Sequence, residues 1–209
     1  MTPLSFRVYE VPSPAGRFDR QPNEDQADLL TTTEQLNHEL EAAGIELSRL
    51  RQATVRDPVT GGANMRALVM AWEGQDLEDP CSLLVVDIDE FRKVNHSLGR
   101  TCGNAVLQAV NTTMERALRW DDVVVREGGD RFIVLLPLAI EEDAFAVAER
   151  IRVAVQKMCF EVDQGRFKLT IRVGVSSRRG EDSLDQIISR ADKACRGGRA
   201  HGGNTIVFE

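Results

Sequence analysis

Two acids at the ends of apolar runs are the residues of this sequence best suited to chemistry. In CSLLVVDIDEF the apolar run that begins at Cys81 ends at Asp87; in VVVREGGDRFIVLLP two runs flank Glu127-Gly128-Gly129-Asp130. A buried strand that stops at a carboxylate delivers it to the rim of a sheet. Two such carboxylates brought together could hold a divalent cation, which takes oxygen ligands. Gly-Gly accepts positive φ at no steric cost, so Gly128 and Gly129 are expected to close a two-residue hairpin with Asp130 at its tip.

Those acids need a sheet, and the pattern around them supplies one. The run from Ser82 to Val86 predicts a strand, and the two halves of VVVREGGDRFIVLLP predict a strand pair. A short helical segment is expected after Asp87-Ile88-Asp89, with Gly99 and Gly103 punctuating the loop that follows, and then a longer helix over about Asn104 to Leu118, with Val106, Ala109, Val110, Thr113 and Ala117 on one face. EEDAFAVAERIRVAVQKM opens with acids and sets Phe145, Ala148, Ile151 and Val155 at helical spacing. Strands are expected near Phe160 to Val162 and Phe167 to Val175 about the turn Asp163-Gln164-Gly165, then a helix from about Ser183 to Arg196 and a strand from Thr205 to Phe208. Strands and helices alternate with hairpins among them, which implies an α/β (α+β) fold with a mixed sheet covered by helices.

Upstream the pattern changes. Residues 1–22 carry Pro3, Pro12, Pro14 and Pro22 with Gly16 and no apolar periodicity, as in an extended or disordered arm. Over 23–56, Leu29, Leu36, Ala43 and Leu50 lie seven apart, with Thr33, Leu40, Leu47 and Thr54 on the alternate seam, so a coiled-coil helix is expected. Gly44 and the two seam threonines weaken it, and an amphipathic helix folded on its own domain is the alternative. Pro58, Gly61 and Gly62 then break that helix at the start of the main domain, 57–209, before another helix begins near Ala63.

The totals exclude several classes. With 209 residues, 42% hydrophobic and 5% aromatic, the chain suits one soluble domain plus an appendage. A net charge of -7 argues against a general nucleic-acid or membrane-surface binder, which needs a basic face. Cys81, Cys102, Cys159 and Cys195 form no CxxC pair, so neither zinc nor a disulfide framework is indicated and a reducing cytoplasm fits. No apolar run is long enough to span a bilayer. His38, His96 and His201 lack ligand-spaced partners and read as surface residues, and Ser176-Ser177-Arg178-Arg179 reads as a solvated loop.

The order of these pieces resembles the GGDEF domain, the diguanylate cyclase family, from Asp57 to Phe208. DPVTGGANMR, DIDEFRKVN, GRTCGN, REGGDRF and ADKACRGGRAHGGN fall in the family's sequence. The resemblance implies a nucleotidyl-cyclase, palm-like, five-stranded mixed sheet flanked by helices. It also implies that each domain of a dimer holds one GTP, and that two GTP are joined into cyclic di-GMP. That reaction is attack of a ribose 3'-hydroxyl on an α-phosphate with loss of pyrophosphate, assisted by divalent metals. By resemblance the metals would sit on Asp87, the main-chain oxygen of Ile88, and Asp130.

Several positions depart from the family. The signature glutamate is Arg131, a reversed charge beside the expected metals. Asn95 matches the base-binding asparagine, but the aspartate that would accept from guanine N1-H and its amine is Asn104, and an amide offers one acceptor oxygen. The family's histidine is Arg100. Arg92 and Arg199 stand where lysines are usual, and Gly203 where an arginine is usual. Lost cyclase activity is the expectation, with Mg2+ a cofactor only if the remaining acids still bind it and otherwise none.

A second ligand site looks intact. Arg119-Trp120-Asp121-Asp122 gives an RxxD pattern five residues before Gly128-Gly129, where the family puts its product-binding inhibitory site. Arg119 can fork onto a guanine edge or a phosphate and Asp122 can accept from the base. Arg150 matches a second arginine of that site, while a further one is Ala146. The bland alternative is a solvated helix end. The expected ligand is therefore cyclic di-GMP, with a protein partner engaged through the arm and N-terminal helix and a homodimer as one assembly. A working cyclase that tolerates GGDRF and a ligand-free scaffold are the competing readings.

Overall fold

The computed structural model describes residues 33, 35–44, 55–162, 165–198 and 202–209. The expected arm, Arg199, His201 and half of the expected heptad seam, Leu29, Leu47, Leu50 and Thr54, lie outside the described residues. The chain divides between Arg51 and Gln52. In the first unit residues 35–44 are helical, and the seam residues Leu36 and Leu40 are exposed.

In the second unit the strands are β1 (Ala63–Asn64), β2 (Cys81–Ile88), β3 (Val123–Gly128), β4 (Arg131–Pro137), β5 (Phe160–Val162), β6 (Gly165–Phe167), β7 (Ile171–Ser177) and β8 (Ile206–Phe208). The helices are α1 (Met65–Glu73), α2 (Phe91–Ala117), α3 (Glu141–Gln156) and α4 (Leu184–Gly198). Six strands form one mixed sheet in the order β1-β3-β4-β2-β7-β8, and β5 and β6 form a separate hairpin. The mixed, helix-flanked sheet is as expected; a two-residue edge strand, β1, makes six where five were anticipated.

Strand β2 lies at the centre, antiparallel to β4 on one side and β7 on the other. Successive side chains of a strand point to opposite faces, and here both faces are covered. Leu84 and Val86 pack with Val110, Met114 and Ile151 of α2 and α3, while Leu83 and Val85 pack with Leu68, Ile187 and Ala191 of α1 and α4. That is why CSLLVV is apolar throughout rather than alternating. Helix α4 presses so closely on β7 that a Cβ on Gly174 would lie 1.9 Å from the Ala191 carbonyl oxygen.

Four local expectations need correction. The hairpin turn is Gly129-Asp130, not Gly128-Gly129: Gly128 belongs to β3, the ladder shifts register between Arg126 and Gly128, and Gly129 carries φ 56°. The short helical segment and the longer helix adjoin as α2, parted only by a kink at Gly99 (φ 79°, ψ 166°) rather than by a loop reaching Gly103, and the buried face includes Leu107 and Met114. Phe145 is half exposed and rests on the Phe208 ring, 5.7 Å between centroids; the buried face of α3 is Ala144, Val147, Ala148, Ile151 and Val155. The segment expected as one strand from Phe167 divides, because Gly165–Phe167 pairs with β5 whereas Ile171–Ser177 joins the main sheet. Ser176 and Ser177 accordingly end a strand, hydrogen-bonded to Arg190 and Ser82.

Candidate functional site

The end of β2 and the tip of the β3-β4 hairpin meet at one rim of the sheet. The main-chain N–H of Ile88 donates to the Asp130 carbonyl at 3.3 Å, which sets Asp130 beside Asp87. The hairpin tip is held from behind by Arg126. Its Nε and Nη2 donate to the Gly129 carbonyl at 3.0 and 2.8 Å, and its Nη1 reaches Asp57 at 3.1 Å. Asp57 also accepts from the Thr60 N–H at 2.8 Å and the Thr60 hydroxyl at 2.9 Å. Burial pushes the Asp57 carboxyl up, but the hydrogen bonds from Thr60 and Arg126 outweigh it and leave it below its ordinary value. The DPVTGG loop is thus a clamp on the signature turn, a role the sequence pattern did not disclose.

Asp87 is bracketed by cations. In the sheet register its direct neighbours are Arg131 on β4 and Arg172 on β7; opposed residues of antiparallel strands share a face with Cβ atoms about 5 Å apart. The Arg172 guanidinium bridges two acids, with Nη2 2.8 Å from Asp87 Oδ1 and Nη1 2.6 Å from Asp89 Oδ1. Asp89 is buried, and its other oxygen accepts from the Thr170 hydroxyl at 2.7 Å and the Asn204 N–H at 2.8 Å. Burial pushes the Asp87 carboxyl up; the Asp130 charge adds to this, while Arg172 and Arg131 oppose it. Arg131 turns to other partners. Its Nη1 lies 2.8 Å from Asp192, and its Nε lies 2.7 Å from Glu127, an ion contact without an aligned hydrogen bond. Among the described residues no three His, Cys, Asp or Glu side chains group so as to hold a metal ion.

Beside this rim lies an open cleft of about 1260 Å³. Asp87, Ile88, Asp130, Arg92 and Asn95 line it, as do Arg166 and Lys168 from the β6 region, which sequence reasoning missed. Asn95 is packed against Gly103, where a Cβ would lie 1.9 Å from its Oδ1. Asn104 is exposed and follows directly on the Gly103 that abuts Asn95. Gly203, at φ +80°, rests against Asp89, and a Cβ there would come within 2.7 Å of a carboxylate oxygen. The loop leaves no room for a side chain at that position.

The RxxD residues form a second cluster. Helix α2 ends at Ala117, and Arg150 on α3 donates from Nε to the Ala117 carbonyl at 2.6 Å, a cation on a helix C-terminus. That contact uses one of the five guanidinium donors. Asp122 Oδ2 accepts the Arg119 N–H at 2.8 Å, closing the turn. Burial pushes the Asp122 carboxyl up and Asp121 adds to this, against the opposing charges of Arg119 and Arg150. The three residues thus lie about one turn, with Arg119 and Arg150 exposed. Trp120 stands 96% exposed between them in sequence, an apolar ring with nothing packed over it. Its place in the RxxD motif was the signal available.

Among the described residues no helix is long and apolar enough to cross a membrane. Residues 54–205 match the family described as diguanylate cyclase, GGDEF domain. Response regulator PleD of Caulobacter vibrioides is 37% identical over 132 residues, 62% of this chain and 29% of that protein. Diguanylate cyclase DgcM of Escherichia coli is 32% identical over 164 residues, 76% of this chain and 39% of that protein. The chain thus spans well under half the length of these relatives. Diguanylate cyclase SiaD of Pseudomonas aeruginosa, solved in complex with its activator SiaC, superposes with a TM-score of 0.70 at 30% identity, covering 89% of this chain and 74% of that one. The coiled coil and GGDEF domain of DgcB from Caulobacter crescentus, solved in complex with c-di-GMP, shares the fold with a TM-score of 0.69 at 23% identity, covering 87% and 99%. With the hairpin signature, the palm-like sheet and this match over most of its length, the chain belongs to the GGDEF, diguanylate cyclase family.

Proposed function

We propose that this protein is a catalytically silent GGDEF domain that serves as a cyclic di-GMP receptor, reading the dinucleotide at Arg119, Asp122 and Arg150 and signalling to a protein partner. The observation that carries this reading is the placement of all three residues at the α2–β3 turn, with Asp122 on the Arg119 main chain, Arg150 on the Ala117 carbonyl and both arginine charges felt at Asp122. Two guanidinium groups suit the phosphates and guanine edges of a cyclic dinucleotide, and Asp122 can accept from a base N–H. Trp120 supplies a face on which a base stacks; such stacking contributes about 1–3 kcal/mol per base. Silence at the other site is supported by Arg131 in place of the signature acid and by the Arg172 bridge on Asp87. Contact with the partner is assigned to the N-terminal arm and helix, in keeping with a relative solved with its activator.

An active cyclase is the second reading, favoured by relatives that are themselves diguanylate cyclases. Two measurements on the purified chain separate the readings. Calorimetric titration with cyclic di-GMP is expected to show saturable binding, and incubation with GTP and Mg2+ is expected to release no pyrophosphate. Turnover that disappears in Asp130→Ala would establish the cyclase instead, and absence of binding heat would leave a scaffold.

A further inference from the structure

The residues at the sheet rim do not fit a divalent cation, and the misfit has a specific source. We infer that Arg172 is the resident cation of this cleft, occupying with its guanidinium the electrostatic position that a metal ion on Asp87 would otherwise fill. The inference does not depend on cyclic di-GMP binding at Arg119.

Three observations carry it. Arg172 is buried, 7% exposed, and reaches Asp87 at 2.8 Å and Asp89 at 2.6 Å, so one guanidinium neutralises both acids. Its fork suits this role, since planar guanidinium nitrogens can serve two carboxylates at once. Asp89 has no oxygen to spare, because Thr170 and Asn204 take the second one. Asp87 keeps Asp130 as its acidic neighbour, yet a dication arriving between them would meet a fixed positive charge within a few ångströms. Like charges so close repel strongly in a partly desolvated site.

Arg172 is also held in place from its own backbone. It is the second residue of β7, paired with Asp87 across the ladder, and its carbonyl accepts from the Cys195 thiol at 3.8 Å. Arg131 is a weaker obstacle although it replaces the signature acid, for its charge is met by Glu127 and Asp192. The substitution visible in the signature is therefore not the one that closes the site to metal; the decisive cation comes from a different strand.

The test uses Mn2+ as the probe, added to the full chain and followed by the paramagnetic resonance signal of the free ion. Wild type is expected to show no saturable binding up to millimolar Mn2+, and Arg131→Glu alone to show none either. Arg172→Ala is expected to bind at least about tenfold more tightly, and adding Asp87→Asn to that variant should abolish the gain. Mn2+ should also raise the melting temperature of Arg172→Ala and leave that of wild type unmoved, because a ligand stabilises only the state it binds. If Arg172→Ala does not fold, Arg172→Gln, which retains a donor for Asp89 and sheds the charge, takes its place. Saturable Mn2+ binding by wild type that Asp87→Asn removes would overturn the inference, as would full recovery in Arg131→Glu alone. The readout is independent of cyclic di-GMP, so failure here is distinguishable from failure of the receptor reading.

Discussion

Replacing Arg119 by Ala isolates the recognition that the receptor reading assigns to the RxxD turn. The turn itself survives the change, because Asp122 accepts the main-chain N–H of residue 119, at 2.8 Å, which Ala retains. The Arg119 side chain is exposed, so stability should move by no more than about 0.5 kcal/mol. A guanidinium forked onto phosphate or a guanine edge makes two charge-assisted hydrogen bonds, each about 1.5–3 kcal/mol. Taking the low end for both gives about 3 kcal/mol, and screening at an open surface halves it to about 1.5. With 1.4 kcal/mol per factor of ten, cyclic di-GMP affinity should fall between about 10- and 100-fold. Titration calorimetry on wild type and variant, with matching circular dichroism and melting curves, measures this. A variant within about threefold of wild type, with the fold intact, would refute the assignment of Arg119 as a ligand contact.

Three further outcomes are expected. Trp120→Ala should weaken cyclic di-GMP binding by about 1–3 kcal/mol while leaving the urea midpoint unchanged, since the ring is 96% exposed and buries nothing. Burial holds the Asp122 carboxyl above its ordinary value, so its protonated form accumulates at a higher pH than for a free aspartate; ligand affinity should begin to drop correspondingly early on acidification, and Asp122→Asn should flatten that profile. Asp57→Ala breaks a pair whose side chains are only 12% and 11% exposed, and should cost about 3 kcal/mol in chemical denaturation at pH 7. The sign with pH follows from a folded-state value below the unfolded one: the Asp57 contribution is complete above the unfolded value and is lost as pH falls through the folded one, so wild type and variant should converge in acid.

Much of this protein could be read from the order of its residues alone. Local patterns suffice for strands such as CSLLVV, where an unbroken apolar run reports burial on both faces, and for the hairpin about Gly129, where positive φ demands glycine. The RxxD cluster was legible for the same reason, since Arg119 and Asp122 close their own turn and only Arg150 arrives from elsewhere. The failures share one physical origin. Phe145 has helical spacing but leans on Phe208, which is distant in sequence. Above all, Arg172 lies 85 residues beyond Asp87 and belongs to no motif, yet antiparallel pairing of β2 with β7 sets the two side by side. Spacing along a chain determines which face a side chain takes; which charge it meets there is decided only by strand order and register, and those come from packing the whole sheet.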